Sequence, residues 1–167
     1  MIPPEATVLT AENVKVGLSA EFEREINEED ILSFAHNSGD YNPLHVDSKY
    51  ARTTNFHNRI VHGAFQVALA SAMLGMRLPG RNVLLGAVNG RFMSPLYFPS
   101  RVRVRGEITS WHPPSLSGNL KVIIQEVATH IPTAEVSLNF TFHQDRQERP
   151  DVRVTYQKPH EVNGRKI

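Results

Sequence analysis

The sequence contains no cysteine. That absence excludes disulfides, a thiolate nucleophile and every cysteine-based zinc site. It fits a reducing compartment, so a cytoplasmic location is expected. No run of residues is long and apolar enough to cross a bilayer, which takes about 20 apolar residues. Residues 1–10 hold no basic patch followed by an apolar run, so no secretory leader is expected. Charge of one sign is lacking as well: 18 Lys and Arg stand against 17 Asp and Glu, a formal net charge of +1. That balance gives no electrostatic reason to bind nucleic acid or an anionic membrane. No internal repeat is visible, and 167 residues suit one domain.

What remains is a soluble-protein pattern of short elements. Residues 16–26 read as a strand. A helix over residues 28–37 follows, capped by Asn27, with Glu28, Glu29 and Asp30 at the positive end of its dipole. Ile31, Phe34 and Ala35 fall on its buried stripe. Residues 38–46 are rich in turn formers. The second helix, residues 63–78, is apolar nearly all round and broken by Gln66, Ser71 and Arg77, so it is expected to be buried on most sides. It would span roughly 24 Å, enough to cross a sheet. Gly63, Ala64, Ala68, Ala70, Ala72 and Gly75 allow a sheet to approach it closely, and Pro79-Gly80 ends it.

The rest is β. Strands are expected over residues 82–92, 101–109, 119–129 and 135–143. Val102, Val104 and Ile108 alternate with Arg101, Arg103, Arg105 and Glu107, and Val136, Leu138, Phe140 and Phe142 share one face. One helix against one curved antiparallel sheet is an α+β layer arrangement. Such a sheet has an open edge, so pairing with a second copy, as a homodimer or higher homo-oligomer, is expected. Residues 1–144 would form the domain. Residues 145–167, polar and charged, read as a tail or linker.

Chemistry concentrates in Ser38-Gly39-Asp40-Tyr41-Asn42-Pro43-Leu44-His45. Asp40 and His45 are a carboxylate and an imidazole, the usual pair for moving protons near neutral pH. They would not face one another on a helix, but a bend at Asn42-Pro43 could bring them together, because proline keeps its predecessor out of the helical region. On composition alone the plainer reading, a helix-ending turn, is the better supported one. A second stretch, Ile60-Val61-His62-Gly63, leads into the long helix. The first amides of a helix lack internal partners and lie at the positive end of its dipole, a ready place for a developing oxyanion. Gly63 alone would equally serve close packing.

Taken together, residues 34–75 resemble the signature of the MaoC-like hydratase family, the (R)-specific enoyl-CoA hydratases of the hot-dog fold. The pieces occur in the family's order: Gly39-Asp40-Tyr41-Asn42-Pro43-Leu44-His45 after a short helix, then Ala51-Arg52-Thr53-Thr54-Asn55-Phe56, then Ile60-Val61-His62-Gly63. A looser similarity runs on to about Gln144. The resemblance implies a curved antiparallel sheet around a central helix. It also implies reversible hydration of 2-enoyl thioesters, carried by coenzyme A or by an acyl carrier protein. Asp40 and His45 would be catalytic, Asn42 would orient them, the Gly63 amide would bind the thioester oxygen, and Ser71 would support the site. Tyr41, Phe56, His62, Phe65 and Phe92 are candidate substrate contacts, with core packing an equal explanation for the phenylalanines and a structural role an equal one for His62. No metal or redox cofactor is implied, since the thioester itself stabilises the enolate.

Neighbouring readings stay open. His36, His45, His57 and His62 lie in one stretch, but no ligand spacing falls on an expected helix, so no metal site is expected. His36 belongs on the first helix's surface. Arg101, Arg103 and Arg105 suit an exposed sheet face, with coenzyme A phosphates or an acidic carrier as the alternative. A hot-dog thioesterase, and the carrier-protein dehydratases of fatty-acid synthesis, tend to keep an acid on the central helix; residues 63–78 contain none. A dehydratase domain of a multidomain synthase and a non-catalytic acyl-binding subunit are the remaining alternatives. Val162-Asn163-Gly164-Arg165-Lys166-Ile167 resembles the lead-in to a short-chain reductase, which would make this chain an excised domain with a ketoreductase next in line.

Overall fold

The structure, a computed structural model, describes residues 5–143. The tail expected over residues 145–167, and the reductase lead-in within it, lie outside the described residues. Strand β1 is Ser19–Ile26, followed by helix α1, Glu28–Ser38. Asn27 and Asp30 form a reciprocal cap: the Asn27 side chain accepts from the Asp30 amide at 3.0 Å, and the Asp30 carboxylate accepts from the Asn27 amide at 3.0 Å. Ile31 and Ala35 are fully buried, Phe34 half-buried and His36 exposed, as their spacing implies. Gly39 ends α1 at φ 77, a left-handed conformation that glycine adopts without strain.

The turn-rich stretch contains more regular structure than its composition suggests. Helix α2, Pro43–Val46, and helix α3, Ser48–Arg52, follow one another, capped by the Asn42 and Asp47 side chains. Both are too short to show a hydrophobic period, which is why the sequence hides them. The long helix α4 is Gly63–Met76, two residues shorter than expected.

The sheet comprises β2, Val83–Phe92; β3, Ser100–His112; β4, Ser117–Glu126; and β5, Pro132–Phe142, with strand order β1-β3-β4-β5-β2. Every pairing is antiparallel. Helix α4 lies against β2, β3, β4 and β5. The core fills the space between: Ala70, Met73 and Leu74 from the helix meet Val102, Val104, Ile108, Leu120, Val122, Ile124, Val136, Leu138 and Phe140 from the sheet. The alternation read in the third and fifth strands therefore points the expected side chains inward. On the opposite face the arginine stripe is answered by β1. Arg103 pairs with Glu23 at 2.8 Å, and Arg101 reaches Glu25 at 3.1 Å and Glu23 at 3.6 Å. An exposed, internally neutralised sheet face is the outcome for Arg101 and Arg103.

Helix α4 is buried or half-buried on most sides, with one exposed stripe of Ala64, Ala68 and Ser71, and the amide side chain of Gln66 is buried. Apolarity all round the helix made its buried face unreadable, and the polar residue went inside because a partner waits for it there. Among the described residues no helix is long and apolar enough to cross a membrane.

Candidate active site

Two loops meet at the start of α4. Asn42 has φ −52 and ψ 126, outside the helical region as the following proline requires, and the chain turns there. Its two polar groups serve the residues on either side. The Asn42 amide donates to the Asp40 carboxylate at 3.2 Å, and its side-chain oxygen accepts from the Leu44 amide at 3.0 Å, capping the helix that carries His45. The result is convergence. One ligating atom each from Asp40, His45 and His62 lie within 4.8 Å of one another.

His45 has a defined tautomer. Its Nδ1 lies 2.8 Å from the Ile60 carbonyl oxygen. A carbonyl only accepts, so Nδ1 carries the proton and Nε2 of the neutral ring is free to exchange one. His62 is the floor beneath it. It is fully buried, its Nε2 donates to the Asp40 carbonyl at 3.0 Å, and its Nδ1 is buried without a partner. The His45 and His62 rings stack with centroids 3.9 Å apart at 33°, and Phe34 closes the far side at 5.0 Å. Burial pushes the His62 pKa below its ordinary value. The bond to the Asp40 carbonyl opposes that, the neighbouring His45 adds to it, and the Asp40 carboxylate opposes it again.

A carboxylate and two imidazoles are donors that zinc accepts, and the spacing of Asp40, His45 and His62 along the chain does not reveal their clustering. Each ring donates one N–H to a backbone carbonyl and keeps its other nitrogen free, as a metal-ligating histidine also does. Lone pairs lie in the ring plane, so stacked rings aim them side by side rather than at one centre. The arrangement suits a packed proton-moving group better than a chelate.

Beside this cluster opens a cleft of ≈ 380 Å³ lined by His45, Phe56, Ile60, Gly63, Gln66, Phe92 and neighbours from 93–96. Its walls are mostly apolar. At its back is the start of α4, where His62 occupies the N-cap position without any side-chain capping bond. The Gly63 amide, the first of the helix, lies at its positive end. The ring of Phe92 lies over this glycine: a β-carbon there would come within 2.9 Å of it.

The other expected contacts disperse. Tyr41 is exposed, its hydroxyl 3.3 Å from His36 Nδ1. Phe65 lines a different groove with Phe22, Leu69 and Met76, and packs edge-on against Phe34. Ser71 is exposed, outside the cleft lining. Gln66 is the cleft residue that sequence reasoning passed over. The signal was there, as the lone amide side chain of an apolar helix, but it read only as an interruption.

An antiparallel sheet laid on one long helix, with an acid and an imidazole gathered near that helix's start, has the hot-dog fold of solved (R)-hydratases. Solved structures of similar shape include the (R)-hydratase from A. caviae involved in PHA biosynthesis, at TM-score 0.75 and 26% identity, covering 79% of this chain and 99% of that one. An R-hydratase from Pseudomonas aeruginosa in the unliganded form gives TM-score 0.76 and 27% identity over 88% of this chain and 97% of its own. The sequence profile of the MaoC-like domain matches residues 10–130, and the chain belongs to that family. A 3-hydroxybutyryl-CoA dehydratase of Methylorubrum extorquens is 36% identical over 66% of this chain and 70% of its own length. An (R)-specific enoyl-CoA hydratase of Rhodospirillum rubrum is 38% identical over 61% and 71%.

Proposed function

We propose that the protein is a hydro-lyase of fatty-acid metabolism. It would hydrate trans-2-enoyl-CoA thioesters to (R)-3-hydroxyacyl-CoA and catalyse the reverse dehydration, with Asp40 and His45 moving the proton. The observation that carries this reading is the meeting of Asp40 with His45, which itself lines an apolar cleft reaching the start of α4; Asp40 stands next to His45 but outside that lining. Coenzyme A is favoured as the carrier because the relatives named above carry CoA in their names.

In the hydration direction a water sits between Asp40 and His45. The pair takes a proton from it as its oxygen bonds to the β-carbon. The π electrons move toward the thioester, and the charge gathering on its oxygen is held by the Gly63 amide and the helix dipole. The α-carbon then takes the proton back from the pair on the same face, so the site returns to its starting state. His45 suits this work because its Nδ1 bond to Ile60 leaves Nε2 as the exchanging atom. Phe56 and Phe92 supply apolar wall for the acyl chain.

A homodimer belongs to the same proposal. Strand β2 is a sheet edge whose residues are exposed from Leu84 to Phe92, and its only charge is Arg91. The opposite edge, β1, carries Glu21, Glu23, Arg24 and Glu25. Charge blunts an edge, and an apolar edge invites a partner strand. Residues 1–144 are proposed as the working unit, and a cytoplasmic location fits the cysteine-free chain.

The test is direct. Purified protein is mixed with crotonyl-CoA, and the enoyl chromophore and the configuration of the product are followed. The expected result is loss of the enoyl absorbance with (R)-3-hydroxybutyryl-CoA as product. Release of free thiol would indicate a thioesterase, and no reaction with any chain length would indicate a binding subunit; either outcome rejects the reading.

A further inference from the structure

Gln66 stands out from everything else that lines the cleft. It is 3% exposed, on a helix of apolar and small residues. Its carboxamide is oriented from behind: the buried Thr133 hydroxyl donates to Gln66 Oε1 at 2.7 Å, with the Ile124 carbonyl a more distant acceptor at 3.3 Å. A hydroxyl has one proton to give, and the shorter contact takes it. The Gln66 oxygen is thereby occupied. Among the described residues its nitrogen has no protein partner, while the side chain lines the cleft. Among the described residues the side-chain atoms buried without a partner are His62 Nδ1, Ser100 Oγ and Arg103 Nε, so the Gln66 nitrogen keeps access to the cleft and is free to donate to something bound there.

Position says what that something is. Gln66 is three residues beyond Gly63, hence on the same face of α4 one turn further in. Side chains of a helix lean back toward its N-terminus, so the carboxamide reaches toward the helix start, where the Gly63 amide lies. The two donors come from one helix turn and line one cavity. We propose that the Gln66 side-chain nitrogen is the second donor to the thioester oxygen, completing with the Gly63 amide a two-donor oxyanion site, and that Thr133 is a positioning residue that fixes which end of the carboxamide faces the substrate. This rests on the hydratase reading above and specifies how its charge is held. Two donors grip a developing oxyanion from two directions, so the enolate is stabilised more than the ground-state carbonyl.

Three variants test it: Gln66→Met keeps the volume and removes the donor, Gln66→Glu offers only acceptors when ionised, and Thr133→Val frees the carboxamide without changing its neighbour's size. Removing a donor that acts in the transition state should lower kcat for crotonyl-CoA by about tenfold or more in Gln66→Met, with KM changed by less than about threefold. Gln66→Glu should lose at least as much, and Thr133→Val less. A second readout is the red shift of a conjugated dienoyl thioester bound in an Asp40→Asn background, where turnover does not interfere. Polarisation of the carbonyl by two donors causes that shift, so Gln66→Met should diminish it while the ligand still binds. A merely structural glutamine would leave the shift intact. Should Gln66→Met melt early, Thr133→Val carries the test by the same two readouts. Full kcat and an undiminished shift in the folded variants overturn the proposal while leaving the hydratase reading standing. An inactive parent protein overturns both.

Discussion

His62 shows how a buried residue can shape a site from beneath it. It is fully buried beneath His45, tied to the Asp40 backbone, and its pKa is lowered chiefly by burial. In the unfolded chain the same imidazole takes a proton near 6.5. Below that pH the unfolded state binds more protons than the folded one, so stability must fall as pH drops from 6.5 toward the folded value. Thermal melting from pH 8 to pH 5 should therefore show a decline that is flattened in His62→Gln, whose amide nitrogen reaches the place of Nε2 and keeps a donor for the Asp40 carbonyl but does not titrate. An equal decline in both proteins would remove His62 from the account. At this scale the sequence was partly legible. Asp40, His45 and Gly63 stood in a motif. Gln66 did not, because its meaning depends on Thr133, which lies 67 positions away in sequence. Tyr41, Phe65 and Ser71 are candidates by resemblance and residue type alone, and their side chains turn toward other surroundings, which no local pattern records.

Among the elements, the four-residue helix Pro43–Val46 is the one on which the site depends most. It holds His45, and it is capped by Asn42, whose amide also binds the Asp40 carboxylate. Asn42→Ala keeps the amide and removes the cap, at a cost of about 1 kcal/mol. The expected outcome is a modest loss of melting temperature with a larger loss of kcat, since His45 loses its fixed station. A variant with unchanged kcat would show that the cap is only structural. Long elements were readable for physical reasons. The reciprocal cap of α1 is written in Asn27 and Asp30, and β3 and β5 alternate because one face is core and the other is solvent. Helices α2 and α3 escaped notice because four or five residues cannot display a period. The buried face of α4 escaped because Ala, Leu and Gly surround it, so the polar–apolar contrast that marks a face is missing.

Across the whole molecule, the exposed side of β2 and the Ala64, Ala68 and Ser71 stripe of α4 are among the surfaces that a single chain leaves uncovered. Asp40 is exposed in that single chain too. If two copies join along β2, sedimentation equilibrium should give twice the chain mass, and Val88→Lys, placing a charge on the edge, should shift the protein toward the monomer. A monomeric parent would refute the dimer. The central claim is that Asp40 and His45 act together as the proton-moving pair of a hydratase. The most direct measurement is the initial rate of enoyl absorbance loss from crotonyl-CoA for the parent protein and for Asp40→Asn, which retains shape and hydrogen bonding but not the base. The account expects the substitution to cost at least about a hundredfold in kcat with the melting temperature kept; turnover close to that of the parent in the folded variant would contradict it.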